Sequence, residues 1–124
     1  MPFSERRKYP RIPEFLPCQL SLDSIVLVAK TKNLSCGGAL CQISESLPLM
    51  TKLNVRLELP SSTGFLAQSI QCVGVVVRRE PSPSPEGPPS YLTAIYFSEI
   101  KLEDRRRIAE FVLQSMLSHD RRRS

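Results

Sequence analysis

The sequence predicts a small all-β protein: a six-stranded antiparallel β-barrel followed by one C-terminal α-helix. Apolar residues recur at every second position through most of the chain, which is the period of strands with one buried face. Short runs rich in glycine, proline and small polar residues separate these segments, as in antiparallel sheets with turn-like connections. Only the last twenty-odd residues change to helical spacing. Closure into a barrel removes exposed edges, so we favour a barrel over a sandwich.

The six strands follow from this alternation. It is clearest where Leu53, Val55, Leu57 and Leu59 alternate with polar residues. The first strand has Leu16, Cys18, Leu20 and Leu22 at alternate positions, and the others are predicted at 25–32, 38–43, 53–59, 68–79 and 91–97. Breaks are expected at Asp23-Ser24, from Asn33 to Gly38, at Pro48 and from Pro60 to Gly64.

A proline-rich tract separates the last two predicted strands. Residues 80–90 read Glu-Pro-Ser-Pro-Ser-Pro-Glu-Gly-Pro-Pro-Ser. Proline has no backbone donor for a β-ladder, so this tract is predicted not to pair. We expect a long hairpin loop here; a proline-rich ligand for a partner's groove is the alternative.

The C-terminal segment has the pattern of an amphipathic helix beginning near Leu102. Ile108, Phe111, Val112, Ser115 and Met116 fall on one stripe. Acidic residues stand in the first turn and arginines at the end, which suits the helix dipole. The stripe is expected to cover one barrel opening. Alternatively, Leu113 and Leu117 extend it into a docking surface for another protein.

Length, composition and charge describe one basic domain. The chain has 124 residues, 41% of them hydrophobic and 23% charged, with a net charge of +5. This excess favours an anionic partner. The longest apolar-rich run, residues 25–29, is far below the roughly 20 residues of a membrane span, and the N-terminus has no apolar signal region. A cytoplasmic protein is therefore expected.

The cysteines and histidine do not form a metal site pattern. The four cysteines include no Cys-x-x-Cys pair, and His119 is the one histidine. Cys18, Cys41 and Cys72 stand among alternating apolar residues and are expected to be small buried hydrophobes in a reducing compartment. Cys36 is read either as a passive turn residue or as a thiol with some thiolate character.

Two short motifs carry the functional interpretation. Residues 5–11, Glu-Arg-Arg-Lys-Tyr-Pro-Arg, include the spacing Arg7-x-x-x-Arg11, and residues 33–38 read Asn-Leu-Ser-Cys-Gly-Gly. Guanidinium groups grip phosphates, stack on purines and donate to the O6/N7 edge of guanine. Small polar residues before glycines allow a ligand to approach the backbone. Together the motifs predict an anion site suited to a guanine nucleotide.

In this order and spacing, Arg7-x-x-x-Arg11 and Asn33-x-Ser35-x-x-Gly38 resemble the paired signature of PilZ domains, bacterial receptors for the second messenger cyclic di-GMP. The resemblance extends to residues 91–97, Tyr-Leu-Thr-Ala-Ile-Tyr-Phe, and so spans most of the chain. PilZ domains more often have Asp at the position of Asn33 and Gly at that of Ala94. Asn keeps an acceptor oxygen but lacks the charge of Asp.

The resemblance implies roles for individual residues. Arg7 and Arg11 would contact phosphates and stack on or bond to guanine, with Arg6 as an additional contact. Asn33 and Ser35 would reach the second guanine or its sugar-phosphate, while Gly37 and Gly38 would let the ligand approach closely. No cofactor besides the ligand cyclic di-GMP is implied. The implied type is a stand-alone single domain that signals through an unidentified effector protein.

The resemblance and the elements together suggest a division of the chain. Residues 1–13 are predicted to be a flexible basic arm, 14–118 the barrel with its helix, and 119–124 a basic tail. Ordering of the arm on binding would relay the signal.

Three alternatives are weighed against this receptor. A binder of single-stranded nucleic acid is disfavoured because aromatics are only 6% of the chain and tryptophan is absent. An enzyme is not expected, because the chain has no Gly-x-Ser-x-Gly, no P-loop and no paired carboxylates near a motif. The third alternative is a PilZ-like adaptor that works only through protein contacts.

Overall fold

The computed structural model describes residues 11–13, 15–60, 68–82 and 87–123, with side chains up to residue 118. The strands are β1 (Pro17–Leu22), β2 (Ile25–Ser35), β3 (Gly38–Ile43), β4 (Lys52–Leu59), β5 (Gln68–Pro81) and β6 (Tyr91–Glu99). One helix follows, α1 (Leu102–Arg123).

The strands form a closed barrel in the order β1-β2-β3-β6-β5-β4, and β4 closes it by pairing with β1. Every pairing is antiparallel. The predicted fold class is therefore confirmed. Alternation places one set of side chains inside: β4 buries Leu53, Val55, Leu57 and Leu59 and turns the residues between them outward.

The barrel interior is mostly apolar and is closed at one end by the helix. Ile108 and Val112 of α1 belong to the same buried cluster as inward-facing barrel residues such as Leu20, Val76 and Phe97. Side chains on an outer-wall helix would not reach that interior. The helix therefore covers an opening, as its stripe predicts. Cys18 and Cys41 are also buried inside, with their Sγ atoms 3.9 Å apart.

Strand β2 is longer than predicted, and the turn after it is shorter. The break expected from Asn33 to Gly38 is wrong, because β2 continues to Ser35 and pairs with β3 as far as Ser35 opposite Gly38. Only Cys36 and Gly37 form the turn. The alternation is lost near Lys32 because a bulge interrupts it, and this hid the end of the strand.

Strand β5 also extends further than predicted, into the proline-rich tract. Glu80 pairs with Leu92 and Pro81 with Tyr91, and the amide of Ser82 donates to the carbonyl of Ser90 at 2.9 Å. The prediction that this tract cannot pair is wrong for its first residues. Strand β4 pairs with β5 only up to Val75, so Pro81 lies where one side of β5 has no strand partner. Proline is tolerated at such an edge.

Helix α1 begins at Leu102, as predicted, and has Glu103 and Asp104 in its first turn. Its backbone remains helical to Arg123, so the tail predicted at 119–124 is mostly helix. Asp104 is buried and accepts from Arg107 Nη1 at 2.8 Å. The side chains of Leu113 and Leu117 are 55% and 47% exposed, on the side away from the barrel.

Candidate ligand-binding site

A β-bulge at Lys32 builds one side of the candidate site. Before it, Thr31 pairs with Cys41 and faces the interior; after it, Asn33 pairs with Leu40 and Ser35 with Gly38. Without the extra residue, strand alternation would turn Asn33 and Ser35 inward with Thr31. The bulge therefore brings both predicted site residues to the outer face of the barrel.

The outer face beside these residues is shallow and partly apolar. Asn33 on β2, Leu40 on β3 and Ala94 on β6 form one continuous cross-strand row. The neighbouring row contains Ser35, Gly38 and Tyr96. Side chains paired in this way lie on the same face about 5 Å apart. The two rows form a shallow surface on which a ligand can lie, and this surface carries the amide of Asn33, the hydroxyl of Ser35 and the exposed ring of Tyr96.

The hydroxyl of Ser35 is bonded within the turn that it begins. Its Oγ accepts from the amide of Gly37 at 3.2 Å and donates to the carbonyl of Gly38 at 3.3 Å. Ser35 is also buried. A hydroxyl has one proton and two lone pairs, so one lone pair is still available to an outside donor. The described contacts of Ser35 hold the turn in shape.

The two glycines also have structural contacts. The carbonyl of Gly37 accepts from the amide of Phe97 at 2.9 Å, which ties the turn to β6. Gly38 has no positive φ, but a Cβ added there would collide with the carbonyl oxygen of Ile95. Close approach of β6 is thus one physical reason for glycine at position 38, independent of any ligand.

Asn33 has an unsatisfied acceptor at the candidate site. Its Oδ1 is buried, and no hydrogen-bond donor reaches it within the part of the chain described here. Such an atom costs roughly 1–3 kcal/mol relative to a bonded one. Thr93 Oγ1 is also unsatisfied among the described residues, but Thr93 faces the barrel interior. Asn33 instead lies on the outer face, where a bound molecule can supply the donor.

The chain that precedes β1 runs beside the same end of β2. The amide of Ile12 donates to the carbonyl of Leu34 at 3.1 Å, and the amide of Leu34 donates to the carbonyl of Ile12 at 3.0 Å. Ile12 is buried in the core cluster. This pair sets Arg11 next to the Asn33–Ser35 segment. Arg11 is exposed, whereas Arg6 and Arg7 lie outside the described residues.

The predicted arm therefore has a fixed end. Residues 1–13 were assigned to it from the sequence, yet Ile12 is buried and hydrogen-bonded to the barrel. The signal for this anchor was a single apolar residue between Arg11 and Pro13, which is too short a run to show alternation.

Cys36 is buried in the turn between β2 and β3. Burial raises the pKa of its thiol, although nearby Arg105 of α1 opposes the shift. A raised pKa favours the neutral thiol at neutral pH. The passive reading of Cys36 is therefore the better supported one.

Other site types find no support in the described parts of the chain. No group of three or more His, Cys, Asp and Glu residues there is placed to hold a metal ion. None of the described helical residues forms a helix long and apolar enough to cross a membrane.

Comparison with known proteins identifies a family and similar solved structures, two of which follow. The PilZ domain model matches residues 5–114. Inhibitor of motility (MotI/DgrA) from Bacillus subtilis is 23% identical, with a TM-score of 0.78 over 91% of this chain and 52% of that one. The PilZ domain of YcgR from Escherichia coli, solved with c-di-GMP, is 14% identical, with a TM-score of 0.72 over 94% and 96%.

This chain spans about half of the Bacillus protein. The search of curated proteins produced no match. At such low identities the two solved structures support the fold, and the family rests on the model match, which includes both motifs. The chain belongs to the PilZ domain family.

Proposed function

We propose that this protein is a receptor for cyclic di-GMP, and that the ligand lies on the outer face of β2, β3 and β6. The observation that carries the proposal is the buried Oδ1 of Asn33, which has no hydrogen-bond donor among the described residues and lies beside the end of an arginine-rich segment. Membership in the PilZ family and the fold shared with the c-di-GMP-bound domain of YcgR support it.

The chemistry of the face suits the ligand. Guanine presents N–H donors on its Watson–Crick edge, and Asn33 Oδ1 offers an acceptor. Arg7 and Arg11 would neutralise phosphates and stack on a base. Ser35 keeps one lone pair for a sugar hydroxyl, while the shallow surface at Gly38 admits the sugar-phosphate backbone. In this proposal Arg6 adds charge next to the contacts made by Arg7.

Signal relay would begin at the same place. Binding to Arg7 and Arg11 would hold the chain before Ile12 against the barrel and create a composite surface of arm, ligand and β2. The turn contacts β6 through Gly37 and Phe97, and Cys36 lies near Arg105 of α1. A change at the turn would therefore be transmitted to β6 through this hydrogen bond and would act on the charge of Arg105 in α1. An effector protein that recognises the composite surface would receive the signal.

An adaptor that acts only through protein contacts is the second candidate. Its supporting observation is the outward side of α1, where Leu102, Leu113 and Leu117 are each about half exposed or more. Exposed apolar residues grouped on one helix face indicate a protein contact. This surface is compatible with the receptor as well, so the two candidates differ only in nucleotide binding.

Calorimetric titration separates them. Purified protein is titrated in parallel with cyclic di-GMP, GTP and a short single-stranded oligonucleotide at fixed salt. The receptor predicts a saturable signal with cyclic di-GMP alone. No signal with any of the three would favour the adaptor, and a salt-sensitive signal with the oligonucleotide would favour nucleic-acid binding.

A further inference from the structure

We infer that Arg78 is an additional ligand contact at the far side of the face that carries Asn33. This inference rests on the proposed cyclic di-GMP function and extends it to a residue outside the two motifs. The row Asn33, Leu40 and Ala94 continues across β5 to Arg78, which pairs directly with Ala94. Arg78 thus ends the row that Asn33 begins.

A second bulge brings Arg78 to this position. Val76 pairs with Ile95 and Arg78 with Ala94, so Val77 is the extra residue. Val76 is fully buried and faces the interior. Without the bulge, Val77 would pair with Ala94, and strand alternation would turn Arg78 inward. Bulges commonly redirect a side chain beside a functional site.

Arg78 is also available for binding. It is exposed, and no described residue forms an ion pair or hydrogen bond with it, not even Glu80 two positions further along the strand. Its neighbour Arg79 differs, because Arg79 Nη1 donates to the carbonyl of Leu47 at 2.7 Å. Within the described ranges, therefore, Arg79 is held by a backbone carbonyl while the guanidinium of Arg78 is available to a ligand.

The distance across the row suits a ligand with two equivalent halves. Asn33 and Arg78 are three strand spacings apart, about 14 Å along the sheet. A cyclic dinucleotide carries two guanines and two phosphates, and Asn33 and Arg11 stand at one side only. A guanidinium at the other side can donate to a guanine O6/N7 edge or to a phosphate. Leu40 and Ala94 supply a floor between the two ends.

The test is calorimetric titration of cyclic di-GMP into the wild type, Arg78→Ala, Arg78→Lys and the control Arg106→Ala. Arg106 is an exposed arginine of α1, so its removal makes the same change in net charge on an element outside the row from Asn33 to Arg78. We expect Arg78→Ala to weaken binding about 10- to 100-fold and Arg106→Ala to change it less than about twofold. The affinity of Arg78→Lys should lie between those of wild type and Arg78→Ala, because lysine keeps the charge but lacks the planar guanidinium that donates two parallel hydrogen bonds.

The outcomes distinguish this inference from the proposed function. A wild type without saturable binding overturns both. Wild-type affinity in Arg78→Ala, or equal losses in Arg78→Ala and Arg106→Ala, overturns the Arg78 contact and leaves the receptor standing. The lysine variant identifies the kind of contact. Affinity below wild type in Arg78→Lys indicates a bidentate contact, whereas wild-type affinity in Arg78→Lys together with weak binding in Arg78→Ala indicates a single charge-assisted contact with a phosphate.

Discussion

Gly38 lies so close to Ile95 that the carbonyl oxygen of Ile95 occupies the space a Cβ at position 38 would need. The two residues lie on paired strands, β3 and β6. A backbone carbonyl in a closed barrel moves less easily than a side-chain tip. The glycine of the second motif is therefore required by strand packing.

We expect Gly38→Ala to destabilise the fold by about 1–3 kcal/mol, as overpacking does, and Gly38→Val to cost more. Urea unfolding followed by circular dichroism measures this, with exposed Ser44→Ala as the control that stays within about 0.5 kcal/mol of wild type. Wild-type stability in Gly38→Ala would contradict the packing role. If Gly38→Val also loses ligand binding, part of that loss comes from the destabilised fold and not only from the changed site.

How far the sequence predicts this site depends on which contacts are local. The strand at 53–59 is visible because its alternation is uninterrupted, and it is found at Lys52–Leu59. The clash between Gly38 and Ile95 depends on the pairing of β3 with β6, which are far apart in sequence. The bulge at Lys32 depends on pairing as well. Motif spacing therefore identifies Asn33 and Ser35, but their outward direction and the row to Arg78 require the assembled sheet.

Replacing Asn33 should have opposite effects on the stability of the fold and on ligand binding. Replacing it by Ala removes a buried acceptor that no described residue satisfies, so the free energy of unfolding should be unchanged or rise by up to about 1 kcal/mol. Affinity for cyclic di-GMP should fall about tenfold or more, because the acceptor for guanine is lost.

Asn33→Asp is the matched variant for this position, since it keeps an acceptor oxygen of the same size. We expect it to retain binding. Titration and urea unfolding of both variants provide the measurements. An Asn33→Asp protein that folds but has lost all affinity would rule out the acceptor role assigned to Asn33.

The arginines of the first motif should dominate ligand affinity. Arg7→Ala or Arg11→Ala removes a charge-assisted contact with an anion, and we expect each to cost about 2–4 kcal/mol of binding, or roughly 30- to 1000-fold. Arg122→Ala changes net charge equally and should have little effect. Similar losses from all three variants would indicate diffuse electrostatics and favour a nucleic-acid ligand instead.

Thiol ionisation gives a pH dependence of stability. Burial raises the pKa of Cys72 to about 11, above its usual value of 9.0. The unfolded chain therefore releases this proton at lower pH than the folded protein does. The contribution of the protonated Cys72 thiol to the free energy of unfolding is fully present below about pH 9 and is lost as the pH rises towards about 11.

We expect the urea midpoint to fall over this range, and to fall less in Cys72→Ala, when both are compared with their own values at pH 8. Alkylation by iodoacetamide gives a second measurement, because a neutral thiol reacts slowly. Cys72 in the folded protein should react more slowly at pH 8 than in urea. Equal rates would show that its pKa is not raised.

Amide hydrogen exchange tests where the ligand acts on the chain. The amides of Ile12 and Leu34 each donate a hydrogen bond to the carbonyl of the other residue, so both amides should be protected before any ligand is added. Cyclic di-GMP bound by Arg7, Arg11 and Asn33 should add protection at residues 5–11 and 33–38. The strand β4 lies in another part of the barrel wall, between β5 and β1, so the protection of its amides should change little. Slow exchange at Ile12 in the free protein would place the hinge of the arm before Ile12, because Ile12 is the residue that is hydrogen-bonded to the barrel. Ligand-induced protection confined to α1 would mean that the nucleotide binds elsewhere and that the arm does not take part.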